Sequence, residues 1–166
     1  MVARSKTDTD DTAARTSARD AWVKATRHYF VEACAHWRSH PDFAMTRVRP
    51  IVEGFVHIVC VDQEMQFEPY ERRELRRLPL ERATAIAKRY LPPERNDLVS
   101  TLKNLGNAFH HNQGVVQRCT PTSARVALLQ CAELLDWLDR ERLGDPLPLD
   151  YVHARRDLDG TPSGRW

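Results

Sequence analysis

Residues 51–65 read IVEGFVHIVCVDQEM, and this stretch decides whether the chain is all-helical or contains a sheet. Its valine and isoleucine content is typical of a buried strand. The spacing of its largest apolar residues fits a buried helix instead, and 15 residues is long for a strand. The chain offers no second strand for it to pair with. We therefore predict an all-α fold, while the pattern alone leaves both helix and strand open for residues 51–65.

Helical patterns and helix start and stop signals flank this segment. Pro50 suits the first position of a helix, and Asn96 and Thr120-Pro121 suit helix starts. The helices predicted elsewhere cover residues 13–38, 70–77, 79–90, 97–111 and 120–143. The predicted domain organisation is a disordered N-terminal segment (1–12), a bundle of four to five helices (13–144) and an extended C-terminal tail (145–166).

Composition bounds the class of protein. The chain has 166 residues, enough for one domain, and its 42% hydrophobic content excludes a wholly disordered chain. A net charge of +2 argues against a protein that is basic all round, but it permits a local basic patch. No apolar run approaches a membrane span. The four cysteines form no CxxC pair and the N-terminus has no apolar leader, so we expect a cytoplasmic protein with reduced thiols.

A basic cluster lies in the 70–77 segment. On a helix its four arginines share one face, and residues 68–95 hold eight basic and five acidic side chains, a net charge of +3. One interpretation is an ordinary solvated face with weak ion pairs. The other is contact with the phosphates of RNA or single-stranded DNA, for which arginine is well suited. The candidate nucleic-acid-binding residues are Arg72, Arg73, Arg76, Arg77 and Lys103.

Residues 98–111, LVSTLKNLGNAFHH, give the most informative pattern. On a helical wheel one face is apolar and points to the core, with Leu98, Leu102, Leu105 and Phe109. The opposite face carries Asn104, Asn107 and His111, with Lys103 and His110 on its flank. A mid-helix glycine costs about 1 kcal/mol relative to alanine. Gly106 therefore suggests the close approach of another backbone, and the polar face is either plain surface or an interface.

Residues 102–111 (LKNLGNAFHH), followed by a loop and the helix TSARVALLQCAELLDWL, resemble the HEPN superfamily (higher eukaryote and prokaryote nucleotide-binding). The resemblance is strongest to the prokaryotic branch with an L-R-x-I-G-N-x-x-x-H signature, and it covers about residues 96–140. It implies a four- to five-helix bundle, often a homodimer that pairs its motif helices, or a subunit of a larger prokaryotic complex.

Active members of this superfamily are metal-independent RNases with an arginine, a polar residue and a histidine one turn further on. Asn107 and His111 match the last two positions, but Gly106 stands at the arginine position. The resemblance thus implies a non-catalytic module that binds nucleic acid or helps assemble a defence- or toxin-type complex. We predict no cofactor and no metal, since the chain has no HExxH or CxxC motif.

Two alternatives stay open. The first is a metal-independent endoribonuclease, with His111 and His110 in acid–base roles, Lys103 at the phosphate and Asn107 as the orienting group. The second is a protein–protein adaptor without nucleic-acid contact, which docks through the ridge of Asn104, Asn107 and His111.

Overall fold

The structure is a computed structural model that describes residues 6–62, 79–111, 118–144 and 146–160; side chains are described from residue 16 onward, except at 110 and 111. This part of the chain contains helices and no strand, which confirms the all-α fold. The helices are α1 (Lys6–His36), α2 (Pro41–Asp62), α3 (Leu80–Ala87), α4 (Pro93–His111), α5 (Pro121–Leu138) and α6 (Leu149–Asp159).

Helix α2 forms the centre of the bundle. The ambiguous segment is helical from Ile51 to Asp62, while residues 63–65 lie outside the described residues. Every residue from Ile51 to Val61 except Glu53 is buried. Helices α1, α3, α4 and α5 all pack against α2. A helical segment that is covered on every side needs no polar face, and this explains why residues 51–61 of α2 show no amphipathic stripe.

The start of α2 differs from the prediction. The helix begins at Pro41, so Pro50 lies inside it and does not begin it. The buried face of α2 extends from Ile51 toward the N-terminus through Ala44, Met45 and Val48. Pro50 has no N–H to donate to the carbonyl of Thr46, so α2 lacks one helical hydrogen bond there. Both residues are half-buried.

Both predicted non-helical ends contain helix. Helix α1 starts at Lys6, so the expectation of disorder is wrong for residues 6–12. The tail was predicted to be extended, yet Leu149–Asp159 forms α6. Its buried residues Tyr151, Ala154 and Leu158 have helical spacing, and Tyr151 packs on Phe30 of α1 with ring centroids 5.3 Å apart. Three nearby prolines and two glycines in the tail obscured this short pattern.

The start and stop signals around α4 and α5 had mixed outcomes. Thr120 caps α5 as predicted, since its side chain accepts a hydrogen bond from the Ser123 amide at 3.1 Å. Helix α4 begins at Pro93, so Asn96 is not its cap. The Asn96 side chain instead donates to the carbonyls of Lys88 and Leu91, where it ties the end of α3 to α4.

Helix α4 crosses α2 at Gly106. A Cβ atom built on Gly106 would lie 2.8 Å from the backbone nitrogen and 2.9 Å from the Cα of Arg49. No side chain fits at this distance from another backbone, so the glycine is required for the helices to approach this closely. The same principle acts at Gly54, where a Cβ would collide with the side chain of Thr26 of α1.

The sign of the stability change caused by Gly106→Ala tests the close crossing of α2 and α4. If Gly106 were only a poor helix former, alanine would stabilise the protein by about 1 kcal/mol. Because the added Cβ meets the Arg49 backbone, we expect destabilisation of about 1–3 kcal/mol in urea unfolding. Thr101→Ala, on the exposed side of the same helix, is the control and should change stability little. A more stable Gly106→Ala variant would contradict the close crossing.

A pair of leucines in α6 tests whether the tail belongs to the core. Leu158 is fully buried and Leu149 is 76% exposed. We expect Leu158→Ala to lower the free energy of unfolding by about 2–5 kcal/mol, because it leaves a cavity. Leu149→Ala should change it by less than about 0.5 kcal/mol. Equal small effects in thermal or urea unfolding would show that α6 does not dock.

Candidate functional site

Helix α4 positions the residues singled out in the sequence. Val99 and Leu102 are fully buried and Gly106 is buried, while Leu98, Leu105 and Phe109 are partly buried against the core. The buried face is therefore turned somewhat from the predicted one, toward α2. On the other side Asn104 is exposed, and Lys103 and Asn107 are half-buried. These three residues are brought to one surface, which we call the α4 ridge.

Asn107 has an unmet hydrogen-bonding requirement. Its side-chain oxygen Oδ1 is buried and meets no hydrogen-bond donor among the described residues. A buried acceptor without a donor costs about 1–3 kcal/mol. The rest of the Asn107 side chain is only half-buried, so Asn107 is the residue of the ridge that combines a buried, unpaired oxygen with partial exposure.

Gly106, which the sequence resemblance sets against an arginine, lies inside the α2–α4 crossing. At Gly106 there is no space for a Cβ, so an arginine cannot stand there without separating the helices. The Cβ of Arg49 itself lies 2.9 Å from the place where a Cβ at position 106 would be. The sequence pattern of α4 could not predict the contact with Arg49, because Arg49 and Gly106 are distant in sequence.

A groove of about 400 Å³ opens beside this crossing, between α1 and α2, and Arg49 lines it together with Tyr29, Thr46, Arg47, Pro50 and Glu53. The Arg47 guanidinium pairs with both carboxylate oxygens of Glu32, at 2.8 and 3.2 Å, and stacks over Phe43. Arg47 is therefore already neutralised. In the sequence this groove is marked by Arg47 and Arg49, which alternate with Val48 just before Pro50.

Several predicted site residues lie outside what the structure describes. These are the four arginines Arg72, Arg73, Arg76 and Arg77. His110 and His111 belong to α4, but their side chains are outside the described ones. The described ridge therefore consists of Lys103, Asn104 and Asn107, and the predicted roles of the remaining residues stay predictions.

The four cysteines are free and buried. Burial raises the pKa of every one of these thiols, and it takes Cys60 and Cys131 from 9.0 to about 12. Such thiols are inert as nucleophiles near neutral pH because the thiolate is the reactive form.

The described side chains include no group of three or more His, Cys, Asp and Glu that could hold a metal ion. One pair of histidines, His36 and His40, has the spacing of helical metal ligands. Their rings meet edge to face with centroids 5.8 Å apart, and His36 also packs edge-on against Phe43 at 5.0 Å. These contacts make the pair part of the α1–α2 corner.

No protein-family model, curated protein or solved structure matches the chain. The HEPN resemblance therefore rests on the motif in α4 and the helix after it. None of the described helices is both long and apolar enough to cross a membrane.

The four buried thiols test the packing of the core, both through the pH dependence of stability and through chemical labelling. Because the folded state keeps them protonated, their contribution to stability is complete below the unfolded thiol pKa of about 9. It declines as the pH rises from 9 toward 12, the raised pKa of Cys60 and Cys131.

We expect a thiol reagent such as Ellman's reagent to label none of the four cysteines rapidly at pH 8, and all of them in guanidinium. Rapid labelling of the native protein would contradict the buried positions.

Proposed function

We propose that the chain is a non-catalytic, HEPN-like helical module that binds RNA through the α4 ridge. The basic 72–77 segment adds non-specific phosphate contacts in this proposal. By its family resemblance, the module would work as a homodimer or as a subunit of a prokaryotic defence- or toxin-type complex.

One observation carries the non-catalytic part of the proposal. A metal-independent RNase of this type needs a cation beside its histidine to stabilise charge on the scissile phosphate. The position that would hold this cation is Gly106, which is closed by the Arg49 backbone at 2.8 Å. Lys103 lies one turn away and offers a point charge, which lacks the two-pronged geometry of a guanidinium. Binding is therefore better supported than cleavage.

The polar chemistry of the ridge supports RNA as the ligand. Asn104 and Asn107 offer amide donors and acceptors to base edges or the 2′-OH, and Lys103 offers a charge to phosphate. Asn107 is half-buried, and its amide is able to exchange hydrogen bonds with a ribose hydroxyl or an exocyclic amine. A protein adaptor would also use such a ridge, but it would not need the cation.

Binding and cleavage are measured on one labelled single-stranded RNA of about 20 nucleotides. We expect anisotropy to report binding that weakens steeply with salt, and the RNA to stay intact during incubation in EDTA. Asn107→Ala should weaken binding several-fold, because a buried amide contact is lost. Thr101→Ala on the exposed side of α4 is the matched control and should bind as the wild type does.

Each other outcome has a definite meaning. Cleavage in EDTA that His111→Ala abolishes would replace the proposal with the endoribonuclease. A pure protein that binds no RNA, and copurifies with none by its 260/280 nm ratio, would overturn it in favour of the adaptor.

A further inference from the structure

A second groove, of about 500 Å³, lies between the outer side of α1 and the start of α6. Asp20, Val23 and Lys24 line it from α1, and Pro148 and Asp150 line it from the other side. No residue of α4 lines this groove, so it is separate from the α4 ridge. We call it the α1–α6 groove.

Two exposed leucines flank the α1–α6 groove. Leu149 is 76% exposed and Leu147 is 40% exposed, and they lie on either side of the groove residue Pro148 in the sequence. Among the described residues, one other large hydrophobic side chain is exposed, that of Val126 in α5. Exposed apolar side chains that gather beside a groove are typical of a surface that another protein covers.

Asp20 and Lys24 give this groove charges of both signs. They are one turn apart on α1 and both are exposed, yet neither forms an ion pair with a described residue. Arg27, which also lines the groove, differs because its guanidinium already pairs with Asp139 at 2.6 Å. Asp20 and Lys24 therefore present an unpaired acid and an unpaired base on one helix face.

A surface with an acid and a base side by side is complementary to a second copy of itself. In a two-fold dimer, a residue that meets a second residue of the partner is met by that same pair in reverse. When two α1 helices cross antiparallel, with the axis midway between Asp20 and Lys24, each acid lies opposite the base of the other copy. A nucleic acid would instead meet the carboxylates of Asp20 and Asp150, so the surface suits a protein and not RNA.

From this arrangement we infer that the α1–α6 groove and its leucines form a homodimer interface. Leu149 of each copy enters the groove of the other copy, and Asp20 of each copy pairs with Lys24 of the other. The inference rests on the homodimer of the proposed function and assigns it a surface that contains no residue of α4. The α4 ridge of each copy then stays open to a ligand.

Sedimentation equilibrium over a wide range of protein concentrations measures the dimer dissociation constant. We expect the wild type to dimerise, and Leu149→Ala to raise the dissociation constant at least about tenfold, because each dimer loses two leucine contacts. Val126→Ala shortens an exposed apolar side chain elsewhere and is the matched control, which should dimerise as the wild type does. Because Leu149 is exposed in the single copy, unfolding of the dilute monomer should not change, and this shows that the variant is folded.

Charge reversal tests the pairing of Asp20 with Lys24. Asp20→Lys and Lys24→Asp each place like charges opposite each other in both contacts, so each variant alone should dimerise several-fold more weakly. The two variants mixed in equal amounts should form a heterodimer, because every contact between them joins opposite charges. A chain with both substitutions should dimerise as the wild type does. Glu81→Lys, which reverses an exposed charge on α3, is the control and should have no effect.

The outcomes separate the interface from the proposed function. A protein that is monomeric at every concentration overturns the homodimer and this interface together, while anisotropy decides RNA binding at the α4 ridge independently. A dimer that neither Leu149→Ala nor the charge reversals weaken overturns the interface alone. If Asn104→Glu on the exposed side of α4 weakens that dimer instead, the copies pair through α4.

Discussion

The rest of this structure depends on the burial of residues 51–61 of α2. Each large apolar side chain that leaves water contributes about 1.5–3 kcal/mol, and α2 buries almost every residue from Ile51 to Val61. A helix in this position must be surrounded, so α1, α3, α4 and α5 are arranged around it. The arrangement works only where neighbours can come close, and two glycines, Gly54 and Gly106, allow this on opposite partners.

This packing constraint also shapes the candidate site. A residue that has to be glycine for packing cannot carry a side chain for chemistry, and the proposed function relies on this for its non-catalytic part. The same crossing sets the backbone of Arg49 of α2 against Gly106 of α4. The packing of the core therefore excludes a side chain at position 106.

The sequence was most informative where a signal is local. The Thr120 cap and the need for close approach at Gly106 follow from residue type and spacing, and each is present. The predicted starts of α1, α2 and α4 were wrong, because each helix extends further toward the N-terminus than the residue predicted to begin it. The groove beside Arg49 was missed for a different reason, since it depends on which helices meet.

The two ends of the chain differ from the sequence expectations. The polar start of α1 is helical from Lys6, and the proline-containing tail forms α6, which packs on the core. In α6 the stabilising interactions are long-range, as with Tyr151 on Phe30, so no window of the sequence contains both partners.

Native-state hydrogen exchange measures the central role of α2 most directly. If α2 becomes exposed to solvent only when the whole domain unfolds, the amides of residues 52–61 exchange only by global unfolding. Their exchange free energy then equals the free energy of unfolding measured in urea. The α4 amides around Gly106 should then open at no more than that free energy. Exchange of the α2 amides by local opening, while those of α1 and α5 remain protected, would contradict the account.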